Sequence, residues 1–378
     1  MSKRSLSLID SVDKAKLSKQ VDLVNRCKRT GAKLQDELAS IGWTYDDLQY
    51  TFTPLTSTLS CEAVSLADSC TKQNDIPVVS FFSGAGGVDL GFEASGFSHI
   101  ALVEHNKIFC NTLRHNRKHW RVVGPPDGEG DVSNFEDIET TISPLLDTSA
   151  FNGIFVGGPP CQPFSIAANQ RFSKNGDNFK RVGFAHEKNG NLLFDYINLI
   201  LRFKPAVFHI ENVPGLIELD KGEQLRSAYE ELETSGYNVE QPLLLLASRY
   251  GIPQNRERLF IVGSRLSRPF TAPTPSEMLC TCSGVFATTT EGALNHITRL
   301  HSAESVSRYM LLGYGERDQL GRVDRLDPRL PSKTVIAGGT NGGGRSHLHP
   351  YVPRTISVRE AARLQTFPED YEFTGPVA

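Results

Sequence analysis

Nine residues, Gly157-Gly158-Pro159-Pro160-Cys161-Gln162-Pro163-Phe164-Ser165, hold one cysteine on a rigid turn directly after the apolar run Gly153-Ile154-Phe155-Val156. The run reads as a buried strand. A strand that stops at Gly-Gly-Pro-Pro delivers its next side chain at the carboxyl end of a sheet, where open α/β sheets keep their ligands. The two prolines fix φ and narrow the backbone freedom of the cysteine. A thiol held this way suits a nucleophile better than a packing residue. A lone cysteine in a Pro-rich turn would read more simply as buried packing, but other parts of this chain supply matching groups. Glu211 ends the run Ala206-Val207-Phe208-His209-Ile210, so it stands at the end of a neighbouring strand. Arg256 and Arg258 flank Glu257 and share one face if that segment is extended. A thiolate needs positive or hydrogen-bonding neighbours. A carboxyl group that donates a proton near neutral pH needs a raised pKa, which burial provides.

The elements that must position these groups follow from the pattern. From Ile76 the chain alternates strands and helices. Strands are expected over 77–82 and 99–104, before Cys161 (the fourth of the series), and over 206–211 as the fifth. A helix over 88–95 follows a Gly-rich turn. Segments 238–248 and 259–263 are expected to form an antiparallel pair at the edge. This alternation argues an α/β fold, a mostly parallel sheet with helices on both faces. Ahead of it, residues 1–75 show helical character over 18–40, a short helix near 42–48 and a Ser-, Thr- and Pro-rich linker over 53–75. No helix-turn-helix pattern stands out there, so an accessory cap or extension is favoured over a DNA-binding or regulatory module. Residues 266–353 are rich in Gly, Pro, Arg and Thr, show little helical period, and include the glycine tract 338–344. A helix returns over 357–364, with Ser357 as its cap and Glu360 three positions inward.

Composition narrows the function. The net charge of −3 rules out a uniformly basic nucleic-acid binder, so any DNA surface is a local patch. The N-terminus lacks the apolar core of a signal peptide. Runs such as 243–247 are too short to span a bilayer. Seven scattered cysteines suit a reduced, cytoplasmic protein. Cys280-Thr281-Cys282 has no second pair of suitable spacing, so no metal site is expected.

The nonamer around Cys161 resembles the catalytic motif of the cytosine-C5 DNA methyltransferases, and the resemblance recurs in the family's order from about Val78 onward. Phe82-Ser83-Gly84-Ala85-Gly86-Gly87 resembles the family's S-adenosylmethionine motif; alone, such a turn would suit a dinucleotide as well. Glu104 ends the second strand, where a carboxylate can accept both ribose hydroxyls. Gly130-Asp131-Val132 is similar to the element whose acid meets the adenine amino group, and Asn191-Leu192-Leu193-Phe194 to a segment whose leucine flanks the cofactor. The resemblance therefore implies that Phe82, Gly84, Gly86, Glu104, Asp131, Pro160 and Leu192 bind S-adenosylmethionine, with His105 a weaker member. The fold it implies is a Rossmann-like methyltransferase sheet over 76–265, an irregular target-recognition domain over 266–353 and a return to the catalytic domain over 354–378.

The same resemblance assigns the chemistry. Cys161 adds to carbon 6 of cytosine, and Glu211, near N3, relieves the charge that builds on the base. Arg258 holds the base side, and Arg256 contacts phosphate or thiolate. The target must be flipped out of its duplex. Residues 165–189, with Arg171, Lys174, Lys180, Arg181 and Lys188, form the loop that closes over the nucleophile. In the recognition segment Arg317, Arg322, Arg325, Arg329, Lys333 and Arg345 supply positive charge, and Asn341, His347 and His349 further polar groups. The stretch 326–335 resembles framework, and 354–367 the helix that ties the recognition domain back to the core. Nothing resembles the family's closing Gly-Asn-x-Val-Pro-like motif, so a truncated product or a second chain that supplies that helix is expected. Double-stranded DNA and a cognate restriction endonuclease are the implied partners, in a bacterial restriction-modification setting. An RNA methyltransferase of the same fold and a catalytically incomplete DNA-binding fragment are the competing readings.

Overall fold

The computed structural model describes residues 12–53, 74–146, 150–160, 192–287, 292–336 and 347–376. Two helices come first, α1 (Lys14–Thr30) and α2 (Leu34–Ser40). The single helical stretch expected over 18–40 is thus broken. Gly31 sits in the left-handed region at φ 73° and its N–H bonds to the Cys27 carbonyl, which ends α1. The short helix expected near 42–48 is one 3-10 turn, Tyr45–Asp47, closed by a capping box between Thr44 and Asp47.

The α/β body follows in the order β1 (Pro77–Phe81), α3 (Gly87–Ala94), β2 (Ser98–Val103), α4 (Lys107–Asn116), β3 (Val122–Val123), α5 (Phe135–Leu146), β4 (Ile154–Gly157), α6 (Leu192–Phe203), β5 (Val207–Asn212) and α7 (Glu223–Thr234). Then come β6 (Asn238–Val239), β7 (Leu243–Leu246), β8 (Gln254–Asn255) and β9 (Glu257–Ser264). Among the described residues the main sheet has eight strands in the order β3-β2-β1-β4-β5-β9-β6, with β7 also on β9. The pairs β2–β3, β1–β2, β1–β4 and β4–β5 are parallel, whereas β9 runs antiparallel to β5, β6 and β7. The third strand, left without a sequence signal, is only two residues long. The antiparallel pairing expected at the edge is present, since β9 pairs with β6 and β7 there; 238–248 forms two short strands, and β9 is set inward against β5.

Strand alternation sorts the core. Ala101 and Val103 of β2 face a cluster with α5, α6 and α7, while Leu102 between them faces Leu90 of α3, Leu113 of α4, Trp120 and Tyr371. Each large apolar side chain buried there contributes roughly 1.5–3 kcal/mol. Both faces are covered, as a parallel sheet requires.

Beyond β9 the elements are short: α8 (Ser283–Ala287), α9 (Ala303–Tyr309), the pair β10 (Arg317–Asp318) and β11 (Val323–Asp324), β12 (Ser332–Lys333) and α10 (Val358–Leu364). β12 lies parallel to β8, which joins this part to the segment before the two arginines. α10 carries the expected capping box, with Ser357 Oγ accepting from Glu360 N and Glu360 Oε2 from Ser357 N. No described helix is long and apolar enough to cross a membrane.

Candidate active site

The carboxyl ends of β2, β1, β4 and β5 lie side by side, and the strand order turns at β1 and β4. In such sheets this switch point is where ligands bind. On the β2–β1 side Glu104 is buried, at 4% exposure. Its Oε2 accepts from Gly84 N and its Oε1 from Asn106 N, each at 2.8 Å. Each oxygen keeps a second lone pair for a ligand hydroxyl. The exposed imidazole of His105 stands 3.4 Å from Oε1.

The Gly-rich turn is shaped for a close backbone approach. Phe82, Gly84 and Gly86 all have positive φ, at 57°, 55° and 82°. At Gly86 a Cβ would come within 2.9 Å of Leu113 and 3.0 Å of the Tyr371 hydroxyl. That hydroxyl donates to the Ala85 carbonyl at 2.7 Å, so Tyr371 props the turn from below. At Gly130, at φ 64°, a Cβ would lie 2.4 Å from the Glu104 carbonyl, and at Gly124 1.9 Å. The 124–130 loop can fold onto β2 only with glycine at both places.

Asp131 is exposed, and its Oδ1 accepts from Ser133 N at 3.0 Å and Ser133 Oγ at 2.7 Å. Its charge reaches Asp195 on α6, whose carboxyl is raised above the ordinary range by burial and then by Asp131. Leu192 opens α6, half-buried. Asp131 thus lies within electrostatic reach of α6, the helix that Leu192 opens.

On the β4–β5 side, Gly157 and Gly158 do different work. A Cβ on Gly157 would meet the Tyr196 ring at 2.6 Å, whereas one on Gly158 would stop 3.5 Å from Glu211 Oε2. The Glu211 carboxylate thus lies against the strand end that leads to Pro160, which is exposed. Arg258 Nε meets Glu211 Oε1 at 2.8 Å. Arg256 joins them, its pKa pulled down to about 10 by burial and then by the like charge of Arg258, against the pull of Glu211. The structure pairs Glu211 with Arg258 and places Arg256 within electrostatic reach of both. Cys161 and the 165–189 loop lie outside the described residues.

Two further residues hold this side, and no role is expected for them from sequence. Buried Asn212 accepts from Val213 N at 2.7 Å through Oδ1, and its Nδ2 reaches the Pro159 carbonyl at 3.5 Å. Buried Gln254 donates from Nε2 to the Leu364 carbonyl at 3.1 Å and accepts at Oε1 from Val335 N at 3.0 Å. The only signal was their position inside the motifs that carry Glu211 and the arginines.

The recognition segment requires corrections. Arg325 is fully buried and stacks on Tyr50 and Tyr314, so it meets no DNA. His347 and His349 are buried too; His347 Nε2 contacts the Thr334 carbonyl, and His349 Nδ1 accepts from Tyr351 N and Val352 N. Arg317 and Lys333 pair with Asp324, and Arg329 with Asp327. Arg322 is exposed. Asn341 and Arg345 lie outside the described residues. Three of the six cations counted in the sequence, Arg317, Arg329 and Lys333, are thus paired with two aspartates, Asp324 and Asp327.

Residues 76–377 match the profile of the family described as C-5 cytosine-specific DNA methylase. The chain belongs to this family and is a DNA (cytosine-5) methyltransferase. The type II methyltransferase M.PspPI of Psychrobacter sp. (strain TA137) is 31% identical over 351 residues, which cover 84% of this chain and 76% of that one. M.NgoFVII of Neisseria gonorrhoeae, also a type II methyltransferase, is 31% identical over 329 residues, 80% of each chain. A crystal structure described as a prophage-encoded DNA modification methyltransferase from E. coli superposes with a TM-score of 0.63 at 24% identity, over 79% of this chain and 91% of that one. The last likeness shows the fold.

Proposed function

We propose that this chain methylates carbon 5 of a cytosine flipped out of duplex DNA, at one sequence, as the modifying partner of a restriction endonuclease. The observation that carries the reading is the Arg258–Glu211 pair at 2.8 Å, set against Gly158 at the end of β4. S-adenosylmethionine supplies the transferable methyl group when bound, and the residues fit it. At Gly84 a Cβ would meet nothing nearer than the Phe82 carbonyl at 4.0 Å, so the turn is open there, and Glu104 Oε2, which accepts from Gly84 N, keeps a lone pair for a ligand hydroxyl. In this reading Phe82, Gly84, Gly86, Glu104, Asp131, Pro160 and Leu192 line that side.

The Cys161 thiolate adds to carbon 6 of the cytosine, and the ring's electrons move toward carbon 5 and N3. Glu211 donates a proton to N3 and so limits the charge that builds there. Arg258 orients the Glu211 carboxyl group and hydrogen-bonds O2 of the base. Arg256 adds positive charge that favours the thiolate. After methyl transfer the carbon 5 proton leaves to solvent, the sulfur–carbon bond breaks to regenerate Cys161, and the proton on N3 returns to Glu211.

The test is transfer of labelled methyl from S-adenosylmethionine to mixed-sequence duplex DNA, with Cys161→Ala as the control. Labelled 5-methylcytosine from the natural chain and none from the variant is the expected result. Undiminished transfer by the variant, or label in tRNA and not in duplex DNA, would sink the reading.

A further inference from the structure

Residues 12–53 lie ahead of the family's span of 76–377. They pack on a body made of very small pieces. Between 292 and 336 the described elements are a seven-residue helix, α9, and strands of two residues each. Pieces so short hold little shape through their own backbone bonds. Their geometry must be set by side chains that come from elsewhere, and the N-terminal segment supplies them.

Leu23, Val24, Cys27, Leu34 and Leu38 share one core with Val306 of α9. Thr51 N donates to the Met310 carbonyl at 2.8 Å. The Tyr45 hydroxyl donates to the His301 carbonyl at 2.8 Å. Fully buried Tyr50 carries the Arg325 guanidinium 3.4 Å above its ring and donates its hydroxyl to the His349 carbonyl at 2.8 Å. Asp46 accepts from Arg354 Nε at 2.6 Å and faces His296 Nε2 at 3.2 Å. All of these partners fall between 296 and 354, on the side of the chain read as meeting DNA.

From Arg354 the connection continues. Its two terminal nitrogens each donate to Glu360 at 2.8 Å, and Glu360 caps α10. The carbonyl of Leu364, the last residue of α10, accepts from Gln254, which leads directly into Arg256 and Arg258. One short helix therefore joins the N-terminal contact to the segment that bears the site arginines.

We propose that residues 12–53 are a brace for target recognition, with Asp46 and Tyr50 as positioning residues that fix 296–354 relative to the arginine segment. They set the affinity for duplex DNA and the choice among sequences, and leave the S-adenosylmethionine side unchanged. This rests on the reading that 266–353 meets DNA.

The experiment uses the full chain as Asp46→Asn, Tyr50→Leu and both together, with Glu37→Gln, half of a surface pair with Arg26, as reference. Three quantities are read: the dissociation constant of S-adenosylhomocysteine, that of a duplex carrying a mapped methylation site, and that of a duplex without it. The double variant is expected to weaken binding to the site by at least about fivefold and to narrow the ratio between the two duplexes, with the S-adenosylhomocysteine constant within about twofold. If the double variant does not fold, Asp46→Asn and Tyr50→Phe are read singly, with the same direction expected. Unchanged DNA constants in folded variants overturn the proposal. So does a loss of S-adenosylhomocysteine binding in step with DNA binding, which would make the segment a brace of the whole molecule. Hydrogen exchange of the natural chain with and without duplex tests the underlying reading separately. Absence of DNA protection across 292–336 would mean that this region does not meet DNA at all.

Discussion

Glycine placement in the active site separates space from chemistry. Gly157 faces the Tyr196 ring at a distance no Cβ can keep, and Tyr196 is fully buried among Phe81 and the sheet core, so the ring has nowhere to go. Gly157→Ala is expected to destabilise the fold by about 1–3 kcal/mol, the usual result of overpacking. Gly158→Ala, whose Cβ would stop at ordinary contact from Glu211, is expected to leave stability within about 0.5 kcal/mol. Urea midpoints of the two variants check this, and equal midpoints would show that Tyr196 yields. Glu211 itself makes a chemical prediction. Replacing its acid with an amide of the same shape keeps the hydrogen-bond geometry toward Arg258 and removes proton donation. Glu211→Gln should lower kcat by roughly 10²-fold or more while leaving S-adenosylmethionine affinity unchanged. A kcat within a few-fold of the natural enzyme, measured under saturating DNA, would remove Glu211 from the proton transfer.

At the scale of elements, the best test is α10. Its first turn contains Ser357 and Glu360, and Glu360 also holds the buried guanidinium of Arg354 with two bonds. These partners, with burial opposing them, hold the Glu360 carboxyl down at about 2. Ser357→Ala loses one cap, about 1 kcal/mol. Glu360→Leu leaves a buried arginine without its main partner and should cost about 3–5 kcal/mol. A calorimetric scan that ranked the two equally would mean that Asp46 alone satisfies Arg354. The cap at Ser357 was legible in the sequence because it is a local pattern of two residues three apart. The parallel strands that carry Glu104, Gly157 and Glu211 were legible because buried strands are continuous apolar runs. What stayed hidden depends on contacts distant in sequence. Nothing near Arg325 marks it as a buried stack between Tyr50 and Tyr314, so it read as one more surface cation. β3 is too short to leave a signal. The inner place of β9 is set by its pairing with β5, which lies about fifty residues away. Gly31 interrupts a helical pattern that hydrophobic period alone would carry through.

The molecule as a whole joins two bodies with different sources of order. The sheet is held by long parallel pairing and two apolar layers, whereas the part beyond β9 is held by buried polar groups and by the N-terminal helices. Both bodies bury neutral histidines. Burial lowers His209, in β5 between Phe92 and Phe260, to about 4. It lowers His301, which accepts from Thr355 N, to about 4, and His349, beneath Phe286, to about 3. In the unfolded chain each titrates at the ordinary imidazole value, near 6.5. Their neutral, buried state therefore carries its full stability above pH 6.5 or so, because there both folded and unfolded forms are uncharged. As pH falls below that value the unfolded chain takes up protons that the folded chain refuses, and stability is lost progressively toward each folded-state pKa. Between about pH 6.5 and 5 the loss is about 2 kcal/mol for each of the three. Urea unfolding should therefore show a midpoint that is steady from about pH 8 to 7 and drops steeply by pH 5, well before most carboxylates titrate. His209→Phe should remove the share of that drop that His209 contributes, about 2 kcal/mol. Because His209 belongs to the sheet and the other two to the second body, tryptophan fluorescence, with Trp43 in one and Trp120 in the other, can show whether acid opens both together. A midpoint that stays flat down to pH 5 or so would mean that these imidazoles find protons or water in the folded state, and that the second body is less tightly closed than its contacts require.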